Sequence, residues 1–360
     1  ALLAGLVPGL PDRTVRSILA RADGVPLYAV ETIRKLVGDG RLVATDGGQF
    51  APAGPLDEIE IPSSLHALIA ARLDSLTLDD RALIGDAAVL GKTFMPAALA
   101  AVAGLDLDDL ERRLRVLAGR ELLELDTDPR SPERGQYGFV QSLIREVAYG
   151  TLGRRDRRAK HLAAARYFES LGDEELAGAL ATHYLAAWEA APEGEEGAAV
   201  AHQARIALRA AAERDLSVGA PEQAVEHLRS ALRITGLAPA DEAELLGRAA
   251  IAAEQAGRYA EAEELWSRAV DIRREGPDPD ALGAALTGHA RALWAANRNE
   301  EAIEAIDAAL RELDGRIGDL SRARLLALIA RLQMRVVRPH DALAATEQLL
   351  PIAERERAVD

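Results

Sequence analysis

Leu246–Val270, LGRAAIAAEQAGRYAEAEELWSRAV, decides the fold, because the same arrangement recurs along the second half of the chain. Leu208–Leu232, Leu286–Leu310 and Leu326–Leu350 align with it, their opening leucines falling at intervals of 38, 40 and 40 residues. Four residues after each leucine stands Ala212, Ala250, Ala290 or Ala330. Further along come Ala224, Ala262, Ala302 and Ala342, then Ala231, Ala269, Ala309 and Leu349. Helices approach closely only where the side chains between them are small, so alanine at fixed points sets the distance between paired helices. Between the paired segments lie Val218-Gly219-Ala220-Pro221, Ala256-Gly257-Arg258, Ala296-Asn297-Arg298 and Val337-Arg338-Pro339. Glycine and asparagine accept the left-handed conformation that ends a helix, and proline begins the next one. Leu228, Trp266 and Ile306 supply a large groove-filling residue; Thr346 holds that place in the fourth segment, which is degenerate.

This register resembles the tetratricopeptide (TPR) repeat, with helix pairs longer than its usual unit of about 34 residues. The expectation is a mainly α chain whose residues 154–360 form a TPR-like α-α solenoid. Residues 157–212 are alanine-rich and helical in pattern without a clean register, and are expected to supply the leading helices of the same stack.

The first half reads differently. Helices are expected over about 64–77, 80–90, 96–102 and 106–118, followed by β-type runs at Leu122–Asp126 and Gln136–Val140 around the turn-rich 127–132. Three main helices, with the short one at 96–102, and a small β-hairpin predict a winged helix over 61–153. Asp106, Asp108, Asp109 and Glu111 crowd the start of its third main helix against Arg112, Arg113 and Arg115, which disfavours DNA binding. Gly85–Thr93, GDAAVLGKT, nearly spells a phosphate loop, but has five residues between the glycines and continues a helix. Gly91 is read instead as a helix C-cap.

Gly24-Val25-Pro26-Leu27-Tyr28-Ala29-Val30-Glu31 resembles the G-x-P-L-[FY]-x-x-E signature just after the ATPase core of STAND-type signalling NTPases. Ile61–Leu65, continuing to Ala71–Leu76 (ARLDSL), is similar to their next block, and Ala87–Phe94 to the one after, which accounts for the near-phosphate loop. Tyr137–Tyr149, YGFVQSLIREVAY, is similar to their F-x-H-x-L-[IV]-R-E-V-A-Y helix, with Gln141 where many relatives carry histidine. That glutamine and Arg154–His161 resemble the actinobacterial subgroup that joins this ATPase to a class III adenylate/guanylate cyclase domain. The resemblance covers nearly the whole chain, closely over 24–165 and loosely across the repeats. It implies that residues 1–60 are the helical lid region of an ATPase module whose P-loop core, and a cyclase domain, lie upstream of Ala1. ATP and Mg2+ are then cofactors of those upstream domains, with none in this chain. Carried over by position, Pro26 becomes an adenine contact once the core is in place.

Composition narrows the function. At 360 residues there is room for two or three domains, and 49% hydrophobic with 4% aromatic residues means that alanine and leucine do most of the packing. Absence of cysteine excludes disulfides and thiolate metal sites. A net charge of −15 opposes general attraction to nucleic acid or anionic lipid, and the sequence holds no membrane-span-length apolar run or signal peptide. A cytoplasmic location is expected. The seven histidines show no metal-binding spacing. Glu195-Glu196 and Glu263-Glu264 read as solvating pairs, Trp188, Trp266 and Trp294 as core, and Arg154–His161 as a solvated helix start. With no catalytic constellation the chain is not expected to be an enzyme. The expected role is regulatory: a sensory arm that binds a protein on the concave face of the solenoid, or a small ligand, and controls an ATPase switch coupled to a cyclase. The rivals are part of a STAND-type transcription regulator, and a TPR scaffold without nucleotide switching.

Overall fold

The computed structural model describes residues 26–44, 50–53 and 64–357, together with isolated positions between 7 and 22. The chain divides into two compact units, Ala1–Leu171 and Gly172–Asp360.

In the first unit, α1 (Pro26–Gly38) precedes a two-stranded antiparallel ribbon, β1 (Leu42–Ala44) and β2 (Phe50–Pro52), with Val43 opposite Ala51. Tyr28, Ala29, Ile33 and Leu36 of α1 form a small core with Leu42 and Leu68. Then come α2 (Leu65–Asp74), α3 (Leu78–Leu90), β3 (Thr93–Phe94), α4 (Pro96–Ala103) and α5 (Leu107–Gly119). Their starts follow from residue type. Ser64 accepts the Ala67 amide at 3.2 Å, Thr77 that of Asp80 at 3.1 Å and Asp106 that of Asp109 at 3.0 Å, each satisfying a first-turn donor. The acids at the head of α5 therefore have local partners: Asp106 caps, and Asp109 pairs with Arg112 and Arg113.

Gly91 ends α3 at φ +137°, the cap expected of it. Lys92 and Thr93 then lead into β3 instead of opening a helix. β3 pairs with β5 (Tyr137–Phe139), and β5 with β4 (Leu123–Leu125), giving an antiparallel sheet of order β3-β5-β4. A Cβ on central Gly138 would stand 3.2 Å from Thr93 Cγ2, so the bare glycine is what lets β3 approach. Phe94 packs near Tyr137 and Phe139, with ring centroids 6.5 and 6.3 Å away. Leu83, Ile84, Leu99, Leu110, Leu114, Leu117 and Ile144 complete this core.

α6 (Ser142–Gly150) and α7 (Arg154–Leu171) close the unit. The sequence reading gave α7 to the repeats and its basic start to solvent. By contacts α7 falls in the first unit and packs on α3 and α4; Arg154 and Arg155 are exposed, as expected of a solvated start, while Lys160 and His161 at the end of the basic run face inward. Lys160 forms an ion pair with the buried Asp86 of α3. Burial pushes the Asp86 carboxyl up against the opposing pull of Lys160. The Tyr149 hydroxyl lies 2.9 Å from His161 Nε2. Arg157 stacks 4.6 Å from the Tyr149 ring centre and donates to the Tyr149 carbonyl at 3.1 Å, where the α6 C-terminus favours a cation. Gly85 leaves room for Leu152, whose Cδ2 would be 3.0 Å from any added Cβ.

The second unit is a TPR-like solenoid. A short 3-10 turn and α8 (Ala177–Ala190) lead into four helix pairs. These are α9 (Gly194–Ser217) with α10 (Pro221–Arg233), and α11 (Pro239–Gln255) with α12 (Tyr259–Glu275). Then follow α13 (Pro279–Ala295) with α14 (Asn299–Glu312), and α15 (Asp319–Arg335) with α16 (Pro339–Arg357). In the first three pairs none of the register alanines, at 212, 224, 231, 250, 262, 269, 290, 302 and 309, is more than 1% exposed. In the fourth, Ala330, Thr346 and Leu349 are only half-buried.

All four turns share one closure. The amides of Ala220, Arg258, Arg298 and Arg338 donate to the carbonyls of Asp215, Ala253, Leu293 and Gln333 at 2.8, 2.8, 2.9 and 2.8 Å. The residue before each donor is left-handed: Gly219, Gly257, Asn297 and Val337, at φ 77°, 72°, 63° and 60°. Valine is the outlier, since a β-branched side chain disfavours that conformation.

Candidate functional site

Glu31 sits on the inward face of α1 and is 1% exposed. A carboxylate removed from water costs several kcal/mol unless it is paired and hydrogen-bonded. Three groups meet it. Arg34 Nη1 lies 2.6 Å from Oε1, Arg72 Nη1 lies 2.9 Å from Oε2, and Gln141 Nε2 donates to Oε1 at 3.1 Å. The two arginines reach further: Arg72 donates to the Arg120 carbonyl, and Arg34 pairs with Glu121. Glu121 is itself held at φ +53° in the turn after α5. One buried carboxylate thus joins α1, α2, the α5–β4 turn and the start of α6.

A cleft of about 480 Å3 opens beside this junction, lined among others by Arg34, Arg72, Ser75, Arg120 and Glu121. Its charges largely answer one another, and no nucleophile with an adjacent base lines it. The junction is suited to holding segments together, and no reaction follows from it.

Glu31 and two of its three partners belong to stretches singled out from sequence: Glu31 ends the Gly24 signature, Arg72 lies in ARLDSL and Gln141 in YGFVQSL, while Arg34 lies outside them. The sequence alone gives Glu31 and Arg72 no role. A glutamate within an otherwise apolar helix face was the available signal. Pro26 stands exposed at the first turn of α1. Gly24, Val25 and Ile61–Ser63 lie outside the described residues.

The solenoid carries a second set of polar contacts. Trp266 fills the space between α11 and α13, where a Cβ on Gly288 would come 2.4 Å from its ring and one on Gly247 3.0 Å. Its Nε1 donates to Glu254 at 2.9 Å, and Glu254 pairs with Arg291 at 3.0 Å. Of the three tryptophans read as core, Trp266 is buried while Trp188 and Trp294 are half-buried. Arg258, Arg298 and Arg338 recur in register, and each pairs with a glutamate of the preceding hairpin: Glu226, Glu263 and Glu300. Glu263 is therefore an inter-repeat partner and not merely solvating. In α8, burial lowers His183 to a pKa of about 4. Among the described residues no group of three or more His, Cys, Asp or Glu is placed to hold a metal, and no helix is long and apolar enough to cross a membrane.

A tetratricopeptide repeat family model matches residues 241–313. No curated protein matches the chain. Among solved structures, the chain is similar to a signal transduction ATPase with numerous domains (STAND) carrying a tetratricopeptide repeat sensor, from Pyrococcus horikoshii. Identity is 12% and the TM-score 0.36, over 83% of this chain and 48% of that one, so the chain spans about half the archaeal protein's length. It is also similar to a Podospora anserina putative kinesin light chain with nearly identical TPR-like repeats. There, identity is 21% and the TM-score 0.41, over 56% of this chain and 96% of that one.

Proposed function

We propose that the chain is the regulatory and sensory part of a multidomain signalling ATPase of the STAND type, acting on a class III nucleotide cyclase in the cytoplasm. The observation that carries this reading is the Glu31 junction. Residues from three stretches that resemble the family's signature blocks meet on one buried carboxylate, as expected if the stretches form one working part. Residues 1–60 are then the lid of an ATPase module, and 61–153 a winged helix whose wing is the β4–β5 hairpin. The TPR-like solenoid is the arm that docks a protein partner on its concave face. ATP and Mg2+ belong to the upstream domains, with Pro26 offered to the adenine ring.

Such a switch requires two packings separated by a few kcal/mol, and a ligand shifts it only through different affinities for the two. The Glu31 junction makes α1 move together with α2 and α6, so a displacement of the winged helix reaches the lid. The test is ATP hydrolysis by the protein carrying its natural upstream sequence, as wild type and as Glu31→Gln. A basal rate altered several-fold in a folded variant is expected. An unchanged rate, or no ATP binding by the wild type, would overturn the reading.

A further inference from the structure

Helices α1, α2 and α5 of the first unit end around the cleft of about 480 Å3, a size that holds a small organic molecule. Ile33, Val37, Leu76 and Leu122 give it an apolar wall. Arg34, Lys35, Arg72 and Arg120 ring that wall, as cations gather at helix C-termini. The helix ends themselves are closed by local bonds. The Arg41 amide donates to the Leu36 carbonyl at 2.8 Å, the Leu122 amide to the Leu117 carbonyl at 3.1 Å, and Arg72 to the Arg120 carbonyl. What remains for the cations is carboxylates.

Those carboxylates form an inner and an outer set. The inner one is Glu31, buried and shared by Arg34 and Arg72. In the outer set Lys35 pairs with Asp39 at 2.7 Å, one turn along the same helix, and Arg34 pairs with Glu121. The Glu121 side chain is 59% exposed, and its φ of +53° is a conformation that residues with a Cβ disfavour. A pair with so exposed a carboxylate is weak, so an anion from solution can take its place. Arg120, the residue before, is exposed and has no carboxylate within ion-pair distance among the described residues. One guanidinium with a replaceable partner and one with none thus stand beside the same apolar wall.

We propose that this cleft binds a small amphiphilic anion, a carboxylate or phosphate on an apolar body, and that Glu121 holds the anion's place until it arrives. The apolar body lies against Ile33, Val37, Leu76 and Leu122. The head group meets Arg34 and Arg120 and turns the Glu121 carboxylate out to solvent. This goes beyond the signalling reading and needs neither the lid assignment nor a cyclase. Isothermal titration of the whole chain with octanoate and with octyl phosphate tests it, with octylammonium and octanol as controls for charge and for the apolar body. Expected are saturable binding of at least one anion, weakened by salt, weaker binding of octanol and none of octylammonium. The tighter of the two anions identifies the head group. Arg120→Ala should weaken binding several-fold. Glu121→Gln removes the competing carboxylate and should tighten binding by a factor of about three to ten, whereas a glutamate that helped to hold the ligand would give the opposite sign. Both substitutions are at exposed side chains, and a thermal melt checks that each variant folds. Binding of neither anion, equal binding of octanol or octylammonium, unchanged binding in Arg120→Ala, or unchanged or weaker binding in Glu121→Gln would overturn the proposal.

Discussion

Val337 shows how much of a repeat rests on single backbone positions. It stands where the other hairpins place Gly219, Gly257 and Asn297, and holds φ +60° with its side chain 82% exposed. The left-handed conformation costs a residue with a Cβ about 1–2 kcal/mol, and no packing offsets that here. Val337→Gly is therefore expected to raise the melting temperature of the second unit by roughly 2–4 °C in a thermal melt, and a lower value would contradict the assignment. Gly288 is the opposite case. An added methyl would collide with Trp266, which Gly247's helix blocks from behind, so Gly288→Ala is expected to cost about 1–3 kcal/mol by denaturant unfolding. His183 sets a pH dependence. Its folded pKa of about 4 lies below the ordinary 6.5, so between those values the unfolded state binds the proton and the fold does not. Its contribution is fully present above pH 6.5 and is lost as the pH falls towards 4, up to roughly 3 kcal/mol. Unfolding measured across that range should have a shallower slope in His183→Gln.

At the scale of elements, the repeat was legible because helix contact leaves a periodic record. The alanines at fixed spacing are the places where helices touch, and the left-handed turn residues sit between them. The sheet was legible in part: β4 and β5 are apolar runs around a turn, while β3 is two residues long and shows no alternation. The inward aim of Lys160 and His161 was hidden, since a basic run does not declare which helical phase faces a neighbour. The Glu31 junction was hidden for another reason. Beside the local Arg34, its partners Arg72 and Gln141 lie 41 and 110 residues away, and no local pattern encodes a tertiary meeting. Breaking it is expected to show as an unpaired buried charge: Arg72→Met should destabilise the first unit by about 3 kcal/mol. Adding Glu31→Gln should restore most of that loss, whereas purely additive losses in the double variant would deny the coupling.

At the scale of the whole molecule, the two units are held by different devices. The first gathers Arg34, Arg72 and Gln141 around one carboxylate, and the second stacks hairpins tied by the recurring Arg258, Arg298 and Arg338. Solenoid stability is close to a sum of repeat and neighbour terms, so loss of one inter-repeat pair weakens the stack locally. Under the proposed function the second unit governs a nucleotide switch. The most direct test compares ATP hydrolysis by the protein with its natural upstream sequence, intact and lacking residues 172–360. A basal rate that changes several-fold when those residues are removed is expected; the same rate with and without them would contradict the proposed function.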